Sequence, residues 1–225
     1  MTVVLPRTDH EIHQAVLDEI LWDPRVEQTE IGVEVDKGVV TLTGTVSSYG
    51  KKLAAQQAAH RVTGVLDVAN DVQVRYPGAP QHTDTEIATA VREALKWDVF
   101  VPHQDIQTTV INGWVTLHGV VPTWADRLDA ERAIDRLEGV RGILDNLTVA
   151  EPKVDPATIR TNLEAALERR ADREADRIAV DVTAGTVILT GRVHNWTEKQ
   201  SILGAAEHTM GVKKIEDHLR IDPFF

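Results

Sequence analysis

One segment of this chain occurs three times. Gly38-Val39-Val40-Thr41-Leu42-Thr43-Gly44-Thr45-Val46 returns as Gly113-Trp114-Val115-Thr116-Leu117-His118-Gly119-Val120-Val121, and again as Gly185-Thr186-Val187-Ile188-Leu189-Thr190-Gly191-Arg192-Val193. A second mark, Gly64-Val65, recurs as Gly139-Val140 and Gly211-Val212. Gly44 and Gly119 lie 75 residues apart, as do Gly64 and Gly139; the next step, Gly119 to Gly191 or Gly139 to Gly211, is 72. Two separate marks that keep the same offset identify a triplicated module of about 70 residues. The expected divisions are residues 1–76, 77–151 and 152–225. A unit this small is marginal alone, so neighbouring copies are expected to support one another.

Each copy opens on a helical face: Ile12, Val16, Ile20; Ile87, Val91, Leu95; Ile159, Leu163, Leu167. Asp9 and Asp84 are the expected N-caps, and Asp155-Pro156 puts proline at the first helical position. Two alternating strands follow, the first through Ile31, Ile106 and Ile178 and the second through Leu42, Leu117 and Leu189. Asn112-Gly113 is a strong type I′ hairpin signal, and Lys37-Gly38 and Ala184-Gly185 are weaker versions. Ser48, Thr123 and Asn195 are expected to cap a second, alanine-rich helix. Gly64, Gly139 and Gly211 are expected to end it as left-handed residues. A last strand runs through Val72, Leu147 and Leu219. The order is α-β-β-α-β. The strand-helix-strand step requires a crossover, so each module is expected to be α+β, a three-stranded mixed sheet with two helices packed on one face. Gly44, Gly119 and Gly191 are expected to make room for the alanine-rich helix, with a bulge as the alternative. The proline-containing linkers, Tyr76 to Pro80 and Glu151 to Lys153, are expected to be stiff.

Charge and composition narrow the function. The net charge is −11 and there is no cysteine. Disulfides, thiolate metal sites and cysteine nucleophiles are therefore excluded. Counting Lys and Arg against Asp and Glu gives −4, −6 and −1 for the three divisions. Such a chain repels nucleic acid at long range, and no nucleic-acid partner is expected. The opening Met1 to His10 lacks the pattern of a secretory leader, and no run approaches the length of a transmembrane segment; the expected location is the cytoplasm.

The Gly-x-Val-x-Leu-x-Gly-x-Val strand, the capped alanine-rich helix, and Gly-Val before a final alternating strand resemble the BON domain family. Val39 to Val74, Trp114 to Val149 and Thr186 to Ile221 each follow that pattern. The resemblance implies the same α-β-β-α-β fold and a non-enzymatic role in osmotic or envelope stress, with phospholipid or protein partners. One branch of the family senses potassium.

No constellation of catalytic type recurs. There is no glycine-rich phosphate loop and no Gly-x-Ser-x-Gly elbow. His10 and His13 share a helical face but lack a third ligand, so they read as solvated rather than zinc-binding. No catalytic, cofactor or metal site is assigned. Arg169, Arg170, Arg173 and Arg177 interleave with Asp172, Glu174 and Asp176, as on a salt-bridged surface. Trp22 and Trp97 are expected to be hydrophobic anchors at the end of the first helix. Tyr49, Trp124 and Trp196 hold one equivalent position in the first turn of the second helix. With Lys51, Lys52, Arg127 and Lys199 they form the candidate ligand or partner surface, beside free helix-start N–H groups. The competing reading packs each ring over the preceding strand or onto a neighbouring module. The chain is thus expected to be a binding or scaffolding protein for phospholipid or protein partners, including a second copy of itself. The alternative is a sensor of a monovalent, potassium-type cation.

Overall fold

The computed structural model describes residues 7–26, 30–75, 82–151, 154–170 and 177–223. The first module comprises α1 (Asp9–Trp22), β1 (Ile31–Asp36), β2 (Val39–Val46), α2 (Tyr49–Arg61), β3 (Asp67–Asn70) and β4 (Gln73–Val74). The second comprises α3 (Asp84–Trp97), β5 (Ile106–Ile111), β6 (Trp114–Val121), α4 (Trp124–Ile134) and β7 (Gly142–Val149). The third comprises α5 (Pro156–Arg170), β8 (Ile178–Thr183), β9 (Thr186–Val193), α6 (Trp196–Glu207) and β10 (Lys214–Ile221). Both linkers fall at least partly outside the described residues.

The fold is α+β, and each sheet is mixed. The central strand pairs antiparallel with the first and parallel with the last: Val33 faces Leu42 across β1 and β2, and Val40 faces Val68 across β2 and β3. In the second and third modules the last strand pairs without a break from Trp114–Gly142 to Val121–Val149 and from Thr186–Lys214 to Val193–Ile221. In the first module it breaks after Asn70 and resumes at Gln73, giving β3 and β4 on the same side of β2.

The hairpins use one turn in all three copies. Lys37 and Gly38, Asn112 and Gly113, and Ala184 and Gly185 all have positive φ, as a type I′ turn requires. In two copies an acid holds this turn to the first helix. Asp9 accepts the N–H groups of Lys37 and Gly38 at 2.8 Å each, and Asp84 accepts those of Asn112 and Gly113 at 2.8 and 2.9 Å. This corrects their expected role. The N-caps are Thr8 and Thr83, in capping boxes with Glu11 and Glu86, which frees Asp9 and Asp84 to reach the hairpin. Asp155 Oδ2 does accept from the Ala157 N–H beside Pro156.

Two glycine positions also require correction. A Cβ on Gly44, Gly119 or Gly191 would stand 2.0, 2.1 or 2.5 Å from the carbonyl oxygen of Glu30, Asp105 or Arg177. The space is taken by backbone entering the first strand, not by the alanine-rich helix. Gly64, Gly139 and Gly211 lie beyond the second helix, whose C-caps are Val62, Asp135 and His208. They turn with positive φ against Ile12, Ile87 and Ile159, the first buried residues of the module's opening helix.

Three separate cores result. Ile20 and Leu42, Leu117 and Ile134, and Leu163 and Leu189 are almost wholly buried in their respective modules. Each such side chain contributes about 2 kcal/mol by leaving water. Ala54, Ala55, Ala58 and Ala59 are buried on α2, which lets that helix lie close on its sheet.

Candidate functional site

The second helices position the recurring aromatic and basic residues. Ser48, Thr123 and Asn195 cap them by accepting the N–H of Lys51, Asp126 and Glu198. Thr123 and Asp126 form a full capping box. In the third copy Glu198 turns to His194 instead, accepting its backbone N–H at 2.6 Å. The next residue is Tyr49, Trp124 or Trp196, each half-buried.

A cation lies three positions further on. Arg127 Cζ sits 4.8 Å from the Trp124 ring centre, and Lys199 Nζ sits 5.6 Å from that of Trp196. Both cations are also tied to the last strand. Arg127 pairs with Asp145, and Lys199 with Asp217 at 2.7 Å. The first copy departs from this rule: Asn70 holds the acid's position, and its amide donates to the Lys52 carbonyl at 3.1 Å and to Gln56 at 3.2 Å. Lys51 is half-buried on the same turn.

Two of the aromatic positions also meet a neighbouring module. Tyr49 packs against the second module's core, and Gly50 approaches the backbone of Asp135 and Arg136 at the end of α4. Burial, with the carboxylates of Glu131 and Asp135, raises the Tyr49 phenol pKa. Trp196 stacks on His60 at the end of α2, ring centres 3.7 Å apart and planes 5° from parallel. Lys213 of the third module pairs with Glu151 at the start of the linker, and Glu207 at the end of α6 lies close enough to Arg132 on α4 to feel its charge. Each module therefore touches both others.

The repeat offsets carry His60 onto Asp135 and Glu207, so one position at the end of the second helix is titratable in every copy. Burial shifts all three toward the neutral form. His60 falls to about 4, and the Asp135 and Glu207 carboxyls are raised. His60 Nδ1, Asp135 Oδ1 and Trp124 Nε1 are buried without a hydrogen-bond partner. The sequence reading missed this position. Its signal was the recurrence of an ionisable residue where the helix otherwise buries alanine.

Trp22 and Trp97 do not anchor the core. They are 84% and 81% exposed, and Leu21, Val99 and Phe100 beside them are 63%, 88% and 70% exposed. The first helices turn their buried stripe, ending in Ile20 and Leu95, away from them. Arg169, the matching residue of the third copy, is also exposed. Arg173 and the acids between it and Arg177 lie outside the described residues. His10 is exposed and His13 half-exposed on α1. Among the described residues no group of three or more His, Cys, Asp or Glu could hold a metal ion. None of their helices is long and apolar enough to cross a membrane.

This is a protein of repeated α+β modules in which two of the three recurring aromatic residues meet a neighbouring copy. The BON domain family model matches residues 8–76, 83–151 and 155–223, and the chain belongs to that family. It is 29% identical over 148 residues to osmotically-inducible protein Y of Escherichia coli (strain K12), covering 62% of this chain and 71% of that protein. It is 26% identical over 123 residues to an uncharacterized protein in the gshII 5' region of Anaplasma centrale, covering 52% of this chain and 81% of that one. The C-terminal domain of CdsD, the structural protein of the type III secretion system of Chlamydia trachomatis, aligns over 96% of this chain and all of that one at 12% identity, with a TM-score of 0.27. That score is too low to bear on fold or function.

Proposed function

We propose that this chain is a non-enzymatic binding protein of osmotic-stress adaptation that docks on phospholipid surfaces through the ends of its first and third helices. One observation carries the reading: Trp22 and Trp97, at equivalent positions, are 84% and 81% exposed although each is the last residue of a helix packed on its sheet. An indole suits the boundary between headgroups and acyl chains, where its ring is apolar and its N–H remains wet. Phe100 and Val99 add apolar surface beside Trp97, and large exposed residues grouped in this way mark interaction surfaces. The net charge of −11 opposes attraction to anionic lipid, so insertion of the rings rather than charge supplies the affinity. The likeness to osmotically-inducible protein Y supports the stress role.

Co-sedimentation with phosphatidylcholine vesicles tests this reading. Binding is expected to persist when salt is raised to about 0.5 M, because apolar insertion is not screened. The double variant Trp22→Ala/Trp97→Ala is expected to stay in the supernatant. Equal sedimentation of the parent and the double variant, or no sedimentation of either, rejects it. Fractionation of cells expressing the chain tests the accompanying cytoplasmic location.

A further inference from the structure

The three copies provide an internal control for their shared cation. In the second module Arg127 is paired with Asp145, and Glu131 stands close enough to the same pair to feel both charges. In the third, Lys199 is paired with Asp217. In the first, both acids are amides, Asn70 and Gln56, and these bond to each other. Lys52 thus has no carboxylate at the position that neutralises its counterparts.

Lys52 instead lines a cleft between the first and second modules, where Arg75 and Arg141 also stand. The matching residues again separate this cleft from the others. Arg141 aligns with Lys213, which Glu151 neutralises, and Arg75 aligns with Ala150 and Asp222. Asp71 is the one carboxylate among the lining residues, against three cations. An excess of positive charge is thus concentrated in one place on a chain of net charge −11.

An aromatic wall completes the cleft. Trp114 lies where a side chain on residue 142 would be: a Cβ on Gly142 would come 2.4 Å from its ring. The glycine lets the indole rest on the backbone of β7, with 55% of Trp114 still exposed. Val39 and Thr186 hold the matching positions, so only this copy has the ring. Tyr49 lines the same cleft. Its volume of about 670 Å³ is within the range that accepts a nucleotide-sized ligand.

The geometry points to a binding site for a soluble phosphorylated ligand with a planar ring, of the nucleoside-phosphate class. Lys52, Arg75 and Arg141 take the phosphate, and the exposed face of Trp114 takes the ring. This site is separate from the lipid-docking tryptophans, and either can fail without the other.

Calorimetric titration of the full chain with ATP, inorganic phosphate and adenosine tests it, with phosphatidic acid vesicles as a fourth arm. ATP is expected to bind at one site per chain, at least about tenfold tighter than phosphate or adenosine alone. Asn70→Asp installs the acid found in the other two copies, and Arg75→Ala installs the alanine of the second. Together they are expected to weaken ATP about a hundredfold; a cooperative thermal melt of the double variant checks that the fold survives loss of the two hydrogen bonds the Asn70 amide donates. No heat with ATP at about 1 mM overturns the inference. So does equal affinity in the double variant, or sensitivity to the variant seen only with the phosphatidic acid vesicles, which assigns the cations to a lipid headgroup.

Discussion

His60 and Trp196 stack face to face, ring centres 3.7 Å apart, although 136 residues separate them in the chain. The contact joins the first module to the third and buries the imidazole. Burial holds His60 at about 4 against an ordinary value of 6.5; Asp67 opposes the shift and Lys199 reinforces it. Between those values the unfolded chain takes up a proton that the folded chain does not. The His60 contribution to stability is therefore complete above pH 6.5 and is lost as pH falls toward 4. Its limit is on the order of 3 kcal/mol. Asp135 and Glu207 work in the opposite direction, since their raised values favour the folded chain as pH falls. His60→Phe keeps a ring against Trp196 but cannot titrate. The difference between thermal melts of parent and variant at pH 7 and pH 4.5 isolates the histidine, and the parent is expected to lose more stability on acidification. Parallel losses would show that His60 is not responsible.

Asp84 ties the start of α3 to a hairpin turn 28 residues further along the chain. Replacing it by alanine leaves the N–H groups of Asn112 and Gly113 without their acceptor. A loss of about 2 kcal/mol is expected in urea denaturation, and the same for Asp9→Ala in the first module. Asp84→Ala is also expected to speed amide exchange at Asn112 and Gly113 more than within β5 and β6.

At Gly119 a methyl group would come 2.1 Å from the Asp105 carbonyl oxygen, and φ is +144°. Gly119→Ala is expected to cost about 3 kcal/mol or more, from backbone collision and strain together. Chemical denaturation measures it. A cost below about 1 kcal/mol would mean that the strand entry shifts without penalty.

The aromatic residues separate into two energetic classes. Trp22→Ala and Trp97→Ala remove rings that lie mostly in water, so each is expected to change stability by less than about 0.5 kcal/mol. Trp124→Ala removes a ring that packs on the second module's core and carries Arg127 over its face. About 2 kcal/mol is expected there. Equilibrium denaturation of the three variants distinguishes the classes.

The strands, the second helices and the mixed sheets were legible because period-2 and period-3.6 patterns report which face a residue occupies. Those patterns do not report what lies opposite. Gly44 therefore reads as a place for a helix to approach, when the neighbour is the Glu30 carbonyl. Asp9 reads as a cap because it is an acid at a helix start, but Thr8 beside it satisfies the cap and leaves the carboxylate for Lys37, 28 residues away. Trp22 reads as an anchor from its size, whereas the α1 stripe of Ile12, Val16 and Ile20 excludes it from the core by angle alone. Tyr49, Trp124 and Trp196 were visible as a recurring set. The partners of two of them, His60 against Trp196 and Asp135 beside Tyr49, become visible only when the copies are aligned in register and a recurring charge is sought.

Because each module touches both others, the three copies close on themselves instead of forming an open row. An open row can gain or lose a unit at either end, but a closed set of three cannot. A fourth copy spliced between the first and third would have to part Trp196 from His60, and removal of the middle one would uncover Tyr49. The copy number is thus held by geometry: recombination between repeats, which readily lengthens linear arrays, would here produce chains with unmatched faces.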